Sequence, residues 1–283
     1  MNIATALKSA TSVLQASGID EPRREAAALM GFVLGQSRAY LIAHDDQELS
    51  AAQSQLFSTA IERRAAREPL QYITGTAEFC GYEFEVRPGV LIPRPETEML
   101  VAAAAEYLRT IPSPRFLEIG IGTGCIAISV LKDVQSSSAV GVDIAPEPVE
   151  LTRRNADLLH VGDRLDLRIG DLFQPVAGER FNAVISNPPY VPAADLPQLQ
   201  PEVRDFEPHK ALTDGGSGLS IIQRIVDAAP EHLIPGGLLA IEFGFGQASA
   251  VANMFDRSIW SSIQVANDIR SIERMVTAKV TRS

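Results

Sequence analysis

FLEIGIGTGCIAISV, residues 116–130, joins an apolar run to a helical pattern through Gly120, Gly122 and Gly124. Glycine at such a junction lets the backbone turn sharply and approach a ligand at the positive end of a helix. The spacing is G-x-G-x-G rather than the G-x-G-x-x-G of dinucleotide binders, so the loop alone also fits a purely structural tight turn. Downstream, AVGVDI, LDLRIGD, NAVISNPPY and LLAIEFG read as further strands separated by helical stretches, including a long helix from about Leu219. That alternation predicts an α/β fold with a parallel sheet covered on both faces.

Working back toward the start, Pro95 opens a helix whose acidic first turn, Glu96 and Glu98, suits the helix dipole. From Leu70 to Ile92, aromatic and β-branched residues around glycines (Tyr72, Ile73, Gly75, Phe79, Gly81, Tyr82) read as a strand pair linking two domains. Residues 1–69 read as helices. The first carries Ile3, Leu7, Val13 and Leu14 and stops near Gly18. A second starts at Pro22 with Asp20 as its cap, shows Ala26, Leu29, Met30, Val33 and Leu34 on one face, and ends at Gly35. Ser50 and Gln53 have capping-box spacing for a helix running toward Arg67, and Pro69 closes the segment.

The 283 residues suggest about two domains, and 46% hydrophobic with 21% charged residues is the balance of a soluble globular chain. A net charge of −10 argues against non-specific nucleic-acid binding, which draws on clustered Lys and Arg. With neither an apolar run of membrane length nor the pattern of a secretory signal in MNIATALKSA, a cytoplasmic location is expected. Cys80 and Cys125 stand apart without the second pair that a metal site or disulfide framework needs, and are expected reduced and buried.

Chemistry gathers at predicted strand ends. Asp143 ends the strand after the glycine loop, where a carboxylate can accept both hydroxyls of a ribose, or else cap the helix opening at Pro146. Asp171 ends the following strand, where S-adenosylmethionine enzymes often recognise the adenine. Asn187, Pro188, Pro189 and Tyr190 follow the strand FNAVIS. Two prolines remove two backbone donors and leave carbonyl acceptors, Asn187 adds a side-chain acceptor, and Tyr190 adds an aromatic face. The set suits a planar NH2 group, although Asn-Pro is also a common rigid turn.

NPPY after such a loop resembles the amino methyltransferases that modify planar nitrogens in DNA, RNA or protein glutamine. EPLQYITGTAEFCGYEFEV, VLIPRPETE, NPPYVP and EVRDFEPHKALTDGGSGL, in that order, resemble the release-factor glutamine methyltransferase family, and the likeness runs from EPRREAAALM through IEFGFGQ. The resemblance implies a helical substrate-recognition domain (1–69), a β-hairpin linker (70–92) and a Rossmann-like methyltransferase domain (93–283). It implies S-adenosylmethionine held by Gly120, Ile121, Gly122, Thr123, Gly124, Asp143, Asp171, Leu172 and Asn187. It further implies that Asn187, Pro188, Pro189 and Tyr190, with Arg94, receive the glutamine of a Gly-Gly-Gln motif in peptide chain release factors. Glu96, Glu98, Glu207 and Pro208 match the family's signatures, and a monomer is expected. Two departures stand out: Leu172 precedes Phe173 where many members place an aromatic residue, and NDIRSIERMV lacks a glycine common there.

Two other readings use the same residues. An adenine or guanine amino methyltransferase acting on DNA or RNA needs the same acceptor pair for a flipped base, but the acidic balance offers it no basic run. A non-catalytic S-adenosylmethionine-binding adaptor would have no use for NPPY. The four histidines are scattered and read as structural or exposed.

Overall fold

The Asn2 side chain accepts from Thr5 N at 2.9 Å and caps α1 (Ile3–Ala16), the first element of a computed structural model that describes residues 1–281. Ile3, Ala6, Ala10 and Leu14 form its buried stripe, whereas Val13, one position from Leu14 and so about 100° away round the helix, is exposed. In α2 (Pro22–Leu34) Ala26, Leu29 and Met30 are buried, and Gly35 ends the helix at φ +62. Asp20 does not cap it. Glu21 holds the cap position without a side-chain bond to the backbone, and its carboxylate takes Arg24 at 2.7 Å instead. The six-residue α3 (Arg38–Ala43) is too short to show a period in sequence and is started by Ser37, which accepts from Tyr40 N at 3.2 Å. The expected capping box opens α4 (Ala51–Ala65), with Gln53 N donating to Ser50 Oγ at 3.2 Å and Ser50 N to Gln53 Oε1 at 2.9 Å.

Residues 70–74, expected in a strand pair, instead form α5 (Leu70–Thr74). The Pro69 carbonyl accepts from Tyr72 N and Ile73 N, and Gly75 at φ +78 stops the turn, so local capping overrides β-propensity. The helical unit therefore extends over Met1–Thr76, past the expected limit at residue 69, and takes in Gln200–Phe206. Within it, buried Arg64 pairs with Glu25 and with Glu202 at 2.9 Å, and Arg67 reaches the same Glu202 at 2.7 Å. Burial tends to raise the Glu202 pKa, but hydrogen bonds including those from Arg67 and Arg64 outweigh it and hold this carboxylate below the ordinary range. Replacing Arg64 with Ala leaves two largely buried carboxylates short of a partner and should lower unfolding free energy by about 2–3 kcal/mol in a urea titration. A change within about 0.5 kcal/mol would mean the cluster is only a surface ornament of the unit.

The second unit, Ala77–Leu199 with the chain from Glu207 on, holds all but the first residue of a hairpin of β1 (Thr76–Phe79) and β2 (Tyr82–Glu85). Its turn residues Cys80 (φ +50) and Gly81 (φ +74) both take the positive φ that two-residue hairpins favour. Cys125 is buried as expected, but this turn leaves Cys80 only partly so; both thiols are free. There follow α6 (Glu98–Leu108), β3 (Arg115–Ile119), α7 (Cys125–Asp133), β4 (Ser138–Asp143), α8 (Pro146–Leu158), β5 (Leu165–Ile169) and β6 (Phe181–Ser186). After α9 (Pro201–Phe206), which belongs to the helical unit, come α10 (His209–Leu212), α11 (Ser220–His232), β7 (Leu233–Glu242), α12 (Ala248–Ala252), β8 (Trp260–Asn267) and β9 (Glu273–Val280).

The sheet order is β5-β4-β3-β6-β7-β9-β8; β5 to β7 are parallel, and β9 runs antiparallel to both neighbours. Successive residues feed opposite faces. Phe116, Ala139, Ala183 and Leu238 join the core with α6 and α7, while Leu117, Val140, Val184 and Leu239 join the core with α11. This is the sheet covered on both faces that the alternating pattern predicted, with the antiparallel β9 and β8 added at one edge. The order reverses at β3, whose neighbours are β4 and β6, so a crevice opens beyond their carboxyl ends. The last hairpin, which has no glycine in its turn, is closed by Asp268. Its Oδ1 accepts from Arg270 N at 2.8 Å and Ile272 N at 3.0 Å, while Ser271 adopts φ +62.

Candidate active site

A cavity of about 520 Å³ lies beyond the carboxyl ends of β3, β4 and β6, within the range of small-molecule sites. Gly120 N and Ile121 N both donate to Val142 O, at 2.8 and 3.0 Å, and hold the glycine loop against β4. Gly120, Gly122 and Gly124 take φ of +75, +56 and +79, which L side chains rarely adopt, so the glycine spacing is a backbone requirement. Gly120, Ile121, Gly122 and Thr123 line the cavity; Gly124 sits behind the wall as the N-cap of α7.

Asp143 reaches into the loop. Its Oδ2 accepts from Gly122 N at 3.2 Å and its Oδ1 from Ala145 N at 3.2 Å, so it caps the turn before α8 and faces the cavity at once. Burial raises its pKa, with these backbone bonds and the Lys210 charge pulling the other way. Across the cavity stand Asp171 and Leu172. Asp171 Oδ2 accepts from Arg224 Nη2 at 2.5 Å, which engages one of its two oxygens. Leu172, at φ +48, is the side chain at the wall, since Phe173 turns into the core and stacks on His232 at 4.6 Å. Glu118, a charge inside an apolar strand, is also at the cavity; its Oε2 accepts from Ala127 N at 2.7 Å and burial holds its pKa well above the usual range.

The Asn-Pro-Pro-Tyr segment leaves β6 where Ser186 Oγ donates to Ile119 O at 2.8 Å, fastening β6 to β3. Asn187, Pro188 and Pro189 line the cavity. Asn187 Nδ2 donates to Thr97 Oγ1 at 3.1 Å. Tyr190 departs from expectation: it is not part of the cavity wall, and its hydroxyl donates to Glu242 Oε1 at 3.0 Å. Burial, then the neighbouring Glu242 charge, push that hydroxyl's pKa above the ordinary phenol value, so it stays protonated. Its carbonyl accepts from Gln247 Nε2 at 2.9 Å, and a Cβ on Gly218 would lie only 2.0 Å from that same oxygen.

The remaining signature residues build the frame. Arg94 lines the cavity but pairs with Glu207, whose Oε2 accepts from Ile92 N at 3.2 Å, so a buried carboxylate clamps the 92–94 stretch. Pro208 lines the cavity beside this clamp. Glu98 Oε1 accepts from Cys80 N at 2.8 Å and secures the hairpin turn. Asp214 accepts from Gly216 N and Gly218 N at 2.8 Å, Ser220 N at 2.9 Å and Ser220 Oγ at 2.5 Å. Burial tends to raise its pKa, but these bonds bring it down to about 2. Reading the sequence passed over Thr97, Glu118, Asp214, Glu242 and Gln247. Three had a visible signal: Glu118 and Glu242 are charges within apolar strands, and Asp214 precedes Gly-Gly-Ser-Gly.

The donor set fits an adenosyl sulfonium ligand. A glycine loop at positive φ, a carboxylate with unused lone pairs for a diol, and a largely apolar wall at Leu172 surround one cavity. Among the described residues, no group of three or more His, Cys, Asp or Glu could hold a metal ion, and no helix is long and apolar enough to cross a membrane.

Comparison with known proteins gives two family matches, the PrmC N-terminal domain over residues 5–75 and the Methyltransferase small domain over residues 96–200. The release factor glutamine methyltransferase of Geobacter sulfurreducens is 43% identical over 94% of this chain and 93% of its own. That of Koribacter versatilis is 38% identical over 99% of each. Among solved structures, a methyltransferase from Pyrococcus furiosus has a TM-score of 0.53 at 17% identity, covering 72% of this chain and 91% of its own, and shares the fold.

Proposed function

The chain belongs to the release factor glutamine methyltransferase family, and we propose that its cavity binds S-adenosylmethionine and delivers a methyl group to the side-chain N5 of a release-factor glutamine. The observation that carries this reading is the tethered Asn187. With Nδ2 held by Thr97, the accepting end of the carboxamide, Oδ1, is left for a substrate donor at the carboxyl end of β6.

Gly120 to Thr123 would present backbone to the ligand, Asp143 would accept the ribose hydroxyls, and Leu172 would pack on the adenine beside Asp171. When bound, S-adenosylmethionine would supply a methyl group made electrophilic by its sulfonium, the methyl–sulfur bond breaking as the carbon–nitrogen bond forms and S-adenosylhomocysteine leaving. Asn187 Oδ1 and the Pro188 carbonyl accept the two N–H bonds of the glutamine amide and orient its nitrogen, which removes much of the orientational entropy of the encounter. Both acceptors gain strength as the nitrogen acquires positive charge, so they favour the transition state over the bound substrate. The positively charged amide then gives up a proton to water without a strong base. Pro189 holds the turn rigid, Tyr190 supports it from behind through Glu242, and Arg94 keeps the adjoining loop in place through Glu207. The helical unit supplies the wider grip on the release factor, because a Gly-Gly-Gln loop offers little surface for selection.

Asp143→Ala removes two backbone anchors and the diol acceptor together. The expected result is a rise in the S-adenosylmethionine Kd of about 30–100-fold by calorimetry, with a smaller loss in kcat at saturation. An unchanged Kd would remove Asp143 from the site. The activity itself is tested by transfer of labelled methyl to an unmethylated bacterial release factor, with its Gln→Ala variant, duplex DNA and ribosomal RNA in parallel. Label on the wild-type factor alone is expected; label on nucleic acid alone would assign the acceptor pair to a base.

A further inference from the structure

An asparagine carboxamide is nearly symmetric in shape and opposite in polarity at its two ends. Presented by Nδ2, it would set a donor against the donors of a substrate amide; presented by Oδ1, it accepts from them. The tether to Thr97 holds Nδ2 only while the threonine oxygen is the acceptor, because a threonine hydroxyl both donates and accepts. Something must take the hydroxyl proton and leave its oxygen as the acceptor.

Glu242 stands in that position. It ends β7 almost fully buried, receives the Tyr190 hydroxyl on Oε1, and has an Oε2 atom with no hydrogen bond of ordinary geometry. Thr97 is buried in the turn that opens α6, and its hydroxyl acts on the same carboxylate, drawing the Glu242 pKa down. An ionised carboxylate has only acceptors to offer. We infer that Glu242, acting through Thr97 on Asn187 and directly on Tyr190, is a positioning residue that fixes the polarity of the Asn-Pro-Pro-Tyr motif toward the substrate amide. This rests on the role given above to Asn187 and adds what sets that role.

The charges facing Glu242 come from three sides. Burial raises its pKa above the ordinary carboxylate value, the Thr97 and Tyr190 hydroxyls and the Arg274 charge on β9 oppose this, and Glu96 in the turn before α6 adds to the rise. The relay points the right way only while Glu242 is ionised. It is complete at pH above the raised Glu242 pKa and is lost as the pH falls through that value, where the protonated acid can donate and the Thr97 hydroxyl can turn to Asn187 Oδ1.

Thr97→Val, Thr97→Ser, Glu242→Gln and Asn187→Ala would be compared in the full-length enzyme for kcat, release-factor KM, S-adenosylmethionine Kd and thermal midpoint. Thr97→Val keeps the shape and loses the hydroxyl; its kcat should fall about 30–100-fold with Kd within about twofold, as a misplaced acceptor requires. Thr97→Ser restores the hydroxyl and should recover kcat to within about threefold of wild type. Glu242→Gln should lower kcat and abolish the acid limb of the kcat–pH profile that wild type shows. If Thr97→Val turns over like wild type while Asn187→Ala is inactive, the relay is wrong and the Asn187 role stands. If Thr97→Ser fails as badly as Thr97→Val, or Glu242→Gln keeps the wild-type acid limb, Thr97 and Glu242 are packing residues and the inference is overturned. If Asn187→Ala remains active, the role of Asn187 itself falls, and the relay with it.

Discussion

Asn187→Ala should abolish methyl transfer, with kcat falling at least ~10³-fold, while the S-adenosylmethionine Kd stays within about twofold. The asymmetry follows from where Asn187 sits. It lines the cavity beyond β6, and its side chain is tethered to Thr97 rather than to the glycine loop or Asp143. Truncation therefore removes an acceptor whose contribution grows as charge develops on the amide nitrogen, and little that holds the cosubstrate. Single-turnover kinetics with calorimetry separate the two quantities. Substantial residual kcat would show that the Pro188 carbonyl suffices, and a parallel loss of cosubstrate affinity would show that Asn187 serves the cofactor instead.

Gly218→Ala should damage both stability and turnover, lowering unfolding free energy by about 2–4 kcal/mol. A Cβ there would meet Tyr190 O at 2.0 Å, Tyr190 C at 2.5 Å and Gln247 Nε2 at 3.1 Å. The first two are backbone atoms and cannot swing aside. At φ +77 the position also strains any L side chain. Relief requires Tyr190 to move by an ångström or so, and displacement on that scale next to Asn187 should cost about 10²-fold in kcat. Gly215→Ala is the control: its φ is +79, yet nothing lies within 4 Å of the added Cβ. That variant should lose only about 1 kcal/mol and little activity. Equal losses in the two variants would mean that conformational strain, and not the approach to Tyr190, governs this loop.

Much of this architecture was legible in the sequence because it is written in local patterns. The strands FLEIG, AVGVD, LDLRI, FNAVIS and LLAIE show apolar runs between helical stretches, and the Ser50/Gln53 capping box depends on residues three positions apart. The cavity-lining Gly120 to Thr123, Asp143, Asp171, Leu172 and Asn187 to Pro189 were legible for the same reason, since each lies at or just beyond a strand end. What sequence reading missed depends on contacts between distant segments. Thr97 and Asn187 are 90 positions apart, and Tyr190 and Glu242 are 52 apart. Tyr190 was expected to show its ring to the substrate because no local signal reveals that a buried carboxylate on β7 claims its hydroxyl. Leu70–Thr74 was misread as strand because Pro69 and Gly75 punctuate a turn too short to display a period. The Arg64–Glu202 contact, across 138 positions, similarly draws Gln200–Phe206 into a unit otherwise built from the first 76 residues.

The most direct test of the central claim is tandem mass spectrometry of an unmethylated release factor after incubation with this enzyme and S-adenosylmethionine. The expected result is one added methyl group on the side-chain nitrogen of the glutamine in Gly-Gly-Gln, present with the wild-type enzyme and absent with Asn187→Ala. A methyl group on any other residue, or the same modified peptide from Asn187→Ala, would contradict the account.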